Sequence, residues 1–355
     1  MRIAVDVSPL SKGRFLQNRV RGTGNYIKNL KKSLINYCPQ HEYIFFTRGE
    51  NLPNDIDLIH YPYFEPFFLT QPLFNKHKFV VTVHDLAPLV FPDKFPIGMK
   101  GRVKWELQRI SLLRSSQIIT DSISSKKDIE RITGANEEII NVVYLASDED
   151  FKKEDISENT ALLIRKKYNL PNKFALYVGD VTWNKNLPNL ISSISNTNVV
   201  LVMIGKALAD KNFDPENQWN FDQVKVQKLS AGNKNIILLG FVEKDDLIKI
   251  YNLATVFVMP SFYEGFGLPI LEAASCGCPI ITAKTGSVPE VIGNAAFYVD
   301  PNDTEDMGKI IRKLYFDSNL QKQFSNKALK QANKFSWKKT AENTTKVYEK
   351  VFTKK

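Results

Sequence analysis

The chain has 355 residues, 43% of them hydrophobic, with three cysteines and 48 Lys and Arg against 38 Asp and Glu. That length carries two domains with buried cores, three cysteines build no disulfide framework, and no run of eighteen apolar residues suggests a membrane span. The net charge of +10 invites an anionic partner, but the basic excess is shared evenly between residues 1–172 and 173–355, which argues against a single nucleic-acid-binding face.

The first residues enter a strand pattern at once, so no secretion leader is expected and the protein is predicted to be cytoplasmic. Apolar runs in the first half read as strands over 3–7, 43–47, 58–61, 79–83, 117–120 and 141–145, and helical periodicity fills 26–37, 99–114 and 124–133. Residues 147–172 are highly charged, hold one weak helical pattern at 159–167, and have the composition of a linker. The second half repeats the alternation, with strands over 174–178, 199–204, 236–239, 255–259, 279–282 and 296–299. Its helices are expected over 187–194, 244–252, 269–275, 306–316 and 320–334, and a last one over 337–351 with Ser336 as its N-cap. Strand alternating with helix in both halves predicts an α/β protein with parallel sheets. The divisions fall at 1–170, 171–336 and 337–355.

The segment 94–114 concentrates Lys94, Lys100, Arg102, Lys104, Arg109 and Arg114 against Glu106 alone, interleaved with apolar residues. Such a stretch suits peripheral contact with an anionic membrane surface, and equally a solvated helix with one core face.

The chemistry concentrates at Glu264-Gly265-Phe266-Gly267-Leu268-Pro269-Ile270-Leu271-Glu272. A buried strand followed by a glycine turn that feeds a helix leaves backbone N–H groups aimed outward, with the helix dipole adding positive potential, and such a corner holds phosphate. Pro269 suits the first turn, and Glu272 sits about one turn in, within reach of a ribose hydroxyl. A second corner of the same kind runs from Tyr177 through Gly179, Asn184 and Lys185 into a helix, where Lys185 offers a point charge. His84 follows an apolar strand, at the end of a parallel sheet where ligands bind, and Asp85 is placed to orient its ring or to cap the next turn. Arg21-Gly22-Thr23-Gly24 precedes a helix but lacks the third glycine of a dinucleotide fingerprint. Near Gly286-Ser287-Val288-Pro289-Glu290, a close backbone approach or a plain helix start fits equally. The histidines His41, His60, His77 and His84 share no helix face, so no metal site is expected.

The nine-residue string resembles the signature of the retaining glycosyltransferases of family 4, and the order of glycine loop, His-Asp, Lys-Asn and paired glutamates extends the resemblance over nearly the whole chain. The resemblance implies the GT-B fold: two Rossmann-like parallel-sheet domains facing a central cleft, with the C-terminal helix crossing back to the first. It implies an acceptor domain over 1–170 and a nucleotide-sugar domain over 171–336. Glu264, His84 and Lys185 would act at the reacting end; Glu272, Gly265, Phe266, Gly267, Leu268, Asn184, Gly179 and Gly286 would bind the donor; Arg21, Gly22, Gly24 and Asp85 would lie on the acceptor side. This chain departs from the pattern at Asn184, where the family commonly has Arg, and at Asp180, where some members have Arg, so Lys185 would carry more of the phosphate charge. The activity implied is metal-independent transfer of a sugar, with GDP-mannose favoured over a UDP-sugar, to a saccharide or lipid-linked acceptor. No cofactor beyond the nucleotide sugar is implied. A sugar-nucleotide epimerase on the same architecture and, more remotely, a nucleic-acid binder are the alternatives.

Overall fold

The computed structural model describes residues 1–11, 21–195 and 197–353. In chain order its first sheet region comprises β1 (Arg2–Asp6), α1 (Arg21–Tyr37), β2 (Glu42–Phe46), β3 (Leu58–Tyr61), β4 (Lys78–Thr82), α2 (Ala87–Val90), α3 (Met99–Leu113), β5 (Gln117–Thr120), α4 (Ile123–Thr133) and β6 (Ile140–Val142). The strands lie in the order β2-β1-β3-β4-β5-β6, and every neighbouring pair is parallel. The inner strands β3 and β5 are buried throughout, as expected of a parallel sheet covered by helices on both faces. Local signals set the ends of α4: the Ser122 hydroxyl accepts from the Ser125 amide at 3.0 Å, and Gly134 closes the helix at φ 75°.

The second sheet region continues with α5 (Glu158–Tyr168), β7 (Ala175–Val178), α6 (Leu187–Ile194), β8 (Leu201–Ile204), α7 (Phe221–Ser230), β9 (Ile236–Leu239), α8 (Lys244–Leu253), β10 (Val256–Met259) and α9 (Leu268–Ser275). It is completed by β11 (Ile280–Ala283), α10 (Val288–Ile292), β12 (Ala296–Val299), α11 (Thr304–Phe316) and α12 (Ser318–Ala332), and α13 (Trp337–Thr353) follows. Its sheet is again wholly parallel, in the order β12-β11-β10-β7-β8-β9. The adjacent β7 and β10 lie at the centre, and their ends carry the two glycine corners.

The chain divides into two compact units, one of Met1–Pro92, Ile97–Ala146 and Phe335–Lys355, the other of Asp93–Pro96 and Ser147–Lys334. The boundary therefore falls after 146 rather than after 170. The charged segment read as a linker is held to the second unit through α8: Lys167 Nζ and the Tyr168 hydroxyl both donate to Asp246 (2.6 and 2.7 Å), and the Glu154 amide donates to Asn252 (2.8 Å). The last helix belongs to the first unit, where the Thr340 hydroxyl donates to the Tyr144 carbonyl at 2.8 Å, and Ser336 caps it by accepting from the Lys339 amide at 3.3 Å.

Two elements differ from their sequence patterns. The glycines at 22 and 24 lie within α1, which starts at Arg21, and not in a loop ahead of it. Helix α7 carries no periodic signal, because its apolar residues follow no single stripe and Phe221 and Leu229 are exposed.

Candidate active site

In the second unit two loops meet. The turn 260–267 leaves β10, and Gly267 adopts φ 87°, a left-handed conformation that only glycine takes at low cost, to head α9. Pro269 has no N–H to leave unpaired, and the N–H groups of Gly267 and Leu268 head the helix beyond reach of any helical carbonyl. Phe266 is buried beneath the turn and Gly265 lies within it. From the other loop, the short 3-10 turn Trp183–Lys185 that follows β7, Lys185 Nζ donates to both Oε1 and Oε2 of Glu264 at 2.8 Å. Glu264 is 5% exposed, so this is a buried ion pair. The cation assigned from sequence to a diphosphate and the carboxylate assigned to the sugar are thus each other's partners.

The Asn184 side chain is a structural tie between the same loops: its amide donates to the Tyr263 carbonyl at 3.1 Å and its oxygen accepts from the Thr182 hydroxyl at 2.7 Å. Main chain adds the Phe262 amide donating to the Asn184 carbonyl at 2.8 Å, while the rings of Trp183 and Phe262 stack at 4.9 Å. Asn184 therefore positions the corner. Asn186, passed over in the sequence, sits at φ 58° and donates to the Pro260 and Pro301 carbonyls, locking the start of α6 against the end of β10.

Gly286 and Gly179 also read differently. A Cβ on Gly286 would stand 2.6 Å from the Glu264 carbonyl oxygen, and the Ser287 hydroxyl and amide both donate to that oxygen. Its close approach is to the Glu264 backbone. A Cβ on Gly179 would lie 2.5 Å from the Tyr177 hydroxyl, so there too the crowding neighbour is protein.

Glu272 has its own surroundings on α9, where the Tyr251 hydroxyl donates to Oε2 at 3.0 Å. Burial pushes its carboxyl up to about 7, with Asp148 adding repulsion while Tyr251 and Lys244 pull the other way. Lys244 also pairs with Asp148 and Asp150, an Asp-x-Asp spacing whose carboxylates are both engaged by that ammonium. Among the described residues no group of three or more His, Cys, Asp or Glu is arranged to hold a metal.

In the first unit, His84 and Asp121 follow the adjacent strands β4 and β5. His84 Nδ1 and Asp121 Oδ2 are 2.7 Å apart, while His84 Nε2 and Asp121 Oδ1 are buried with no hydrogen-bond partner among the described residues. Burial works to lower the pKa of His84, but the charge and hydrogen bond of Asp121, with Asp85 and Glu65 beyond, outweigh it and hold the imidazole above its ordinary value. Burial also raises Asp121, against the opposing pull of His84. The ring nitrogen is held by Asp121 and not by Asp85, whose carboxylate accepts from the Ala87 amide at 3.0 Å at the start of α2. Asp121 was invisible in the sequence because its partner is 37 residues away; its position directly after an apolar strand was the available signal. Among the described residues nothing lies within 4 Å of a Cβ built on Gly22, and Gly24 lies in the same opening turns of α1. The Arg21 side chain lies outside the described residues.

The model for glycosyl transferases group 1 matches residues 162–331. O-antigen chain mannosyltransferase B of Escherichia coli is 32% identical over 287 residues, covering 79% of this chain and 72% of that protein. The chain belongs to the group 1 glycosyltransferases. It is also 30% identical over 265 residues to the serotype-specific mannosyltransferase WbdA of Escherichia coli, covering 74% of this chain but only 32% of that longer protein. Among solved structures it resembles sucrose-phosphate synthase from Thermosynechococcus elongatus, with a TM-score of 0.73 at 17% identity over 99% of both chains. Anabaena HepE, solved with UDP and glucose, gives 0.71 at 16% identity over 99% of this chain and 100% of that one. These likenesses concern the fold, which is GT-B.

Proposed function

We propose that the protein transfers a hexose, mannose foremost, from a nucleoside-diphosphate sugar to a saccharide or lipid-linked acceptor in surface-polysaccharide assembly, with retention of anomeric configuration. The observation that carries this reading is the glycine corner, where Lys185, Glu264 and the amides of Gly267 and Leu268 converge at the end of a parallel sheet. A leaving diphosphate needs positive charge and N–H donors that meet it as charge develops. In this reading Lys185 turns from Glu264 toward the phosphates, Glu272 takes the ribose, and His84 presents Nε2 to the sugar or the acceptor. The mannosyl preference draws on the mannosyltransferase relatives, with a GDP-sugar favoured over a UDP-sugar. For the transfer itself the reading adopts front-face attack assisted by the leaving phosphate, with Glu264 as an electrostatic stabiliser.

The decisive experiment incubates the protein with GDP-mannose and UDP-hexoses and with saccharide acceptors, and reads product configuration by NMR. Transfer with retention is expected, and it should persist in EDTA. Absence of nucleotide binding by calorimetry and of turnover on every donor would overturn the reading; activity lost in EDTA and restored by a divalent ion would overturn metal independence.

The second unit serves as the donor domain and the first as the acceptor domain in this reading, with the protein at the inner face of the cytoplasmic membrane. No helix among the described residues is long and apolar enough to cross a membrane. Helix α3 instead turns Met99, Val103, Ile110 and Leu113 outward beside exposed Lys100, Arg102 and Arg114. Salt-reversible sedimentation with anionic but not neutral vesicles is expected; equal binding to both, or none, would leave a soluble acceptor.

A further inference from the structure

Four buried side chains from four elements of the first unit join end to end. The Tyr348 hydroxyl of α13 lies 2.7 Å from His60 Nδ1 on β3, His60 Nε2 lies 2.9 Å from Thr82 Oγ1 on β4, and that oxygen lies 3.2 Å from the Tyr26 hydroxyl on α1. Tyr26 is 2% exposed and the other three 0%. Burial, helped by His84, pushes the His60 ring down to about 3, so it is neutral at working pH and must donate at one nitrogen and accept at the other. Breaking any link orphans a buried polar group, so the chain holds as a unit.

Tyr26 then meets His84. Its ring stands edge-on to the imidazole, with centroids 4.7 Å apart at 86°. Asp121 grips His84 only at Nδ1, and a single hydrogen bond leaves a ring free to turn about that axis. The Tyr26 ring, packed at right angles to the imidazole, is placed to oppose that turn. Trp337, the first residue of α13, packs on Tyr26 at 6.1 Å, so the helix reaches Tyr26 directly at its start and through His60 and Thr82 about three turns later.

We propose that the chain Tyr348–His60–Thr82–Tyr26 makes Tyr26 a positioning residue for His84, so that α13 takes part in aiming Nε2 at the substrate. This rests on the assignment of His84 to the sugar or acceptor side. The charged and titratable groups facing the ring are Asp121, Asp85, Glu65, His60 and the Tyr26 hydroxyl.

The test compares Tyr348→Phe and Tyr26→Phe with Val347→Ala, a core truncation on α13 outside the chain. The readouts on full-length protein are thermal stability, kcat and KM for the nucleotide sugar, and the ¹⁵N signals of the His84 ring followed against pH. Loss of one buried hydrogen bond should lower kcat about five- to tenfold in Tyr348→Phe, with KM nearly unchanged, and should shift or split the His84 signals. Val347→Ala should lose melting temperature while keeping both. Tyr26→Phe, which keeps the ring and loses the hydroxyl, should give the same pattern in milder form, and it carries the test if Tyr348→Phe does not fold. His84 signals and kcat in both chain variants indistinguishable from Val347→Ala would overturn the proposal. Full transfer by His84→Ala would instead defeat the assignment of His84, an outcome separable because the ring signals report on positioning without turnover.

Discussion

The His84–Asp121 pair of the first unit and the Lys185–Glu264 pair of the second each set a buried carboxylate against a partly buried nitrogen partner beyond the ends of parallel strands, yet they are built differently. His84–Asp121 touches at one point and leaves Nε2 and Oδ1 buried and unanswered. Lys185 meets both oxygens of Glu264, whose main chain is held by Ser287 and crowded by Gly286 while Asn184 ties the neighbouring Tyr263 carbonyl. The first pair has valence in reserve for a ligand. The second must exchange a partner to receive one, and an exchange between two anions is how a lysine can be held ready without being left unpaired in a buried site.

Breaking the second pair should have the largest effect. Lys185→Ala leaves a buried carboxylate uncompensated, at a cost of about 3 kcal/mol in denaturant unfolding, and should lower kcat by at least about a hundredfold because charge on the leaving phosphate peaks in the transition state. Adding Glu264→Gln should recover stability but not turnover. Recovery of both would mark the pair as structural.

Glu272→Gln tests the donor side beyond the pair. Loss of charged hydrogen bonds to ribose should weaken nucleoside-diphosphate binding about tenfold in calorimetry. The raised carboxyl also has a stability signature: its contribution is complete below the ordinary value of 4.5 and is lost as pH rises through about 7. Between those values the wild type should therefore lose up to about 3 kcal/mol that Glu272→Gln does not, leaving the variant the more stable of the two at pH 8.

In the first unit, Asp121→Asn removes the group that opposes burial at His84. The imidazole pKa should fall below its wild-type value in an NMR titration, with kcat falling about tenfold. Because His84 is raised in the wild type, its stabilising contribution is present below its unfolded value and fades as pH climbs through the folded one. The Asn variant should lack that decline. The smallest effect belongs to Tyr251→Phe, which removes one donor from Glu272 and should cost about 1 kcal/mol while nudging the carboxyl further up.

Much of this was legible in advance because apolar strands and glycine corners are local features. The runs at β7, β8 and β10 are buried throughout or nearly so, and their composition alone separates them from helices. Pairing is different. Lys185 and Glu264 are 79 residues apart, and each was assigned to a ligand because the sequence does not reveal that the corners face one another. Asn184 was assigned to the donor for the same reason. Gly22 and Gly24 suggested a loop because glycine is a poor helix former, and tertiary packing of Tyr26, Ile27 and Leu30 overrode that propensity.

The membership of α13 in the first unit also governs the order of assembly. Tyr348, Ala341 and Val347 fill the interior of a unit whose other strands are all complete by residue 142. A ribosome delivers those strands first and their closing helix last, after the whole second unit has emerged. The first sheet must wait with the sulfur of Cys38 and the imidazole of His60, which α13 covers, still exposed to solvent or a chaperone. The second unit, apart from its short strap at Asp93–Pro96, can fold as it is made.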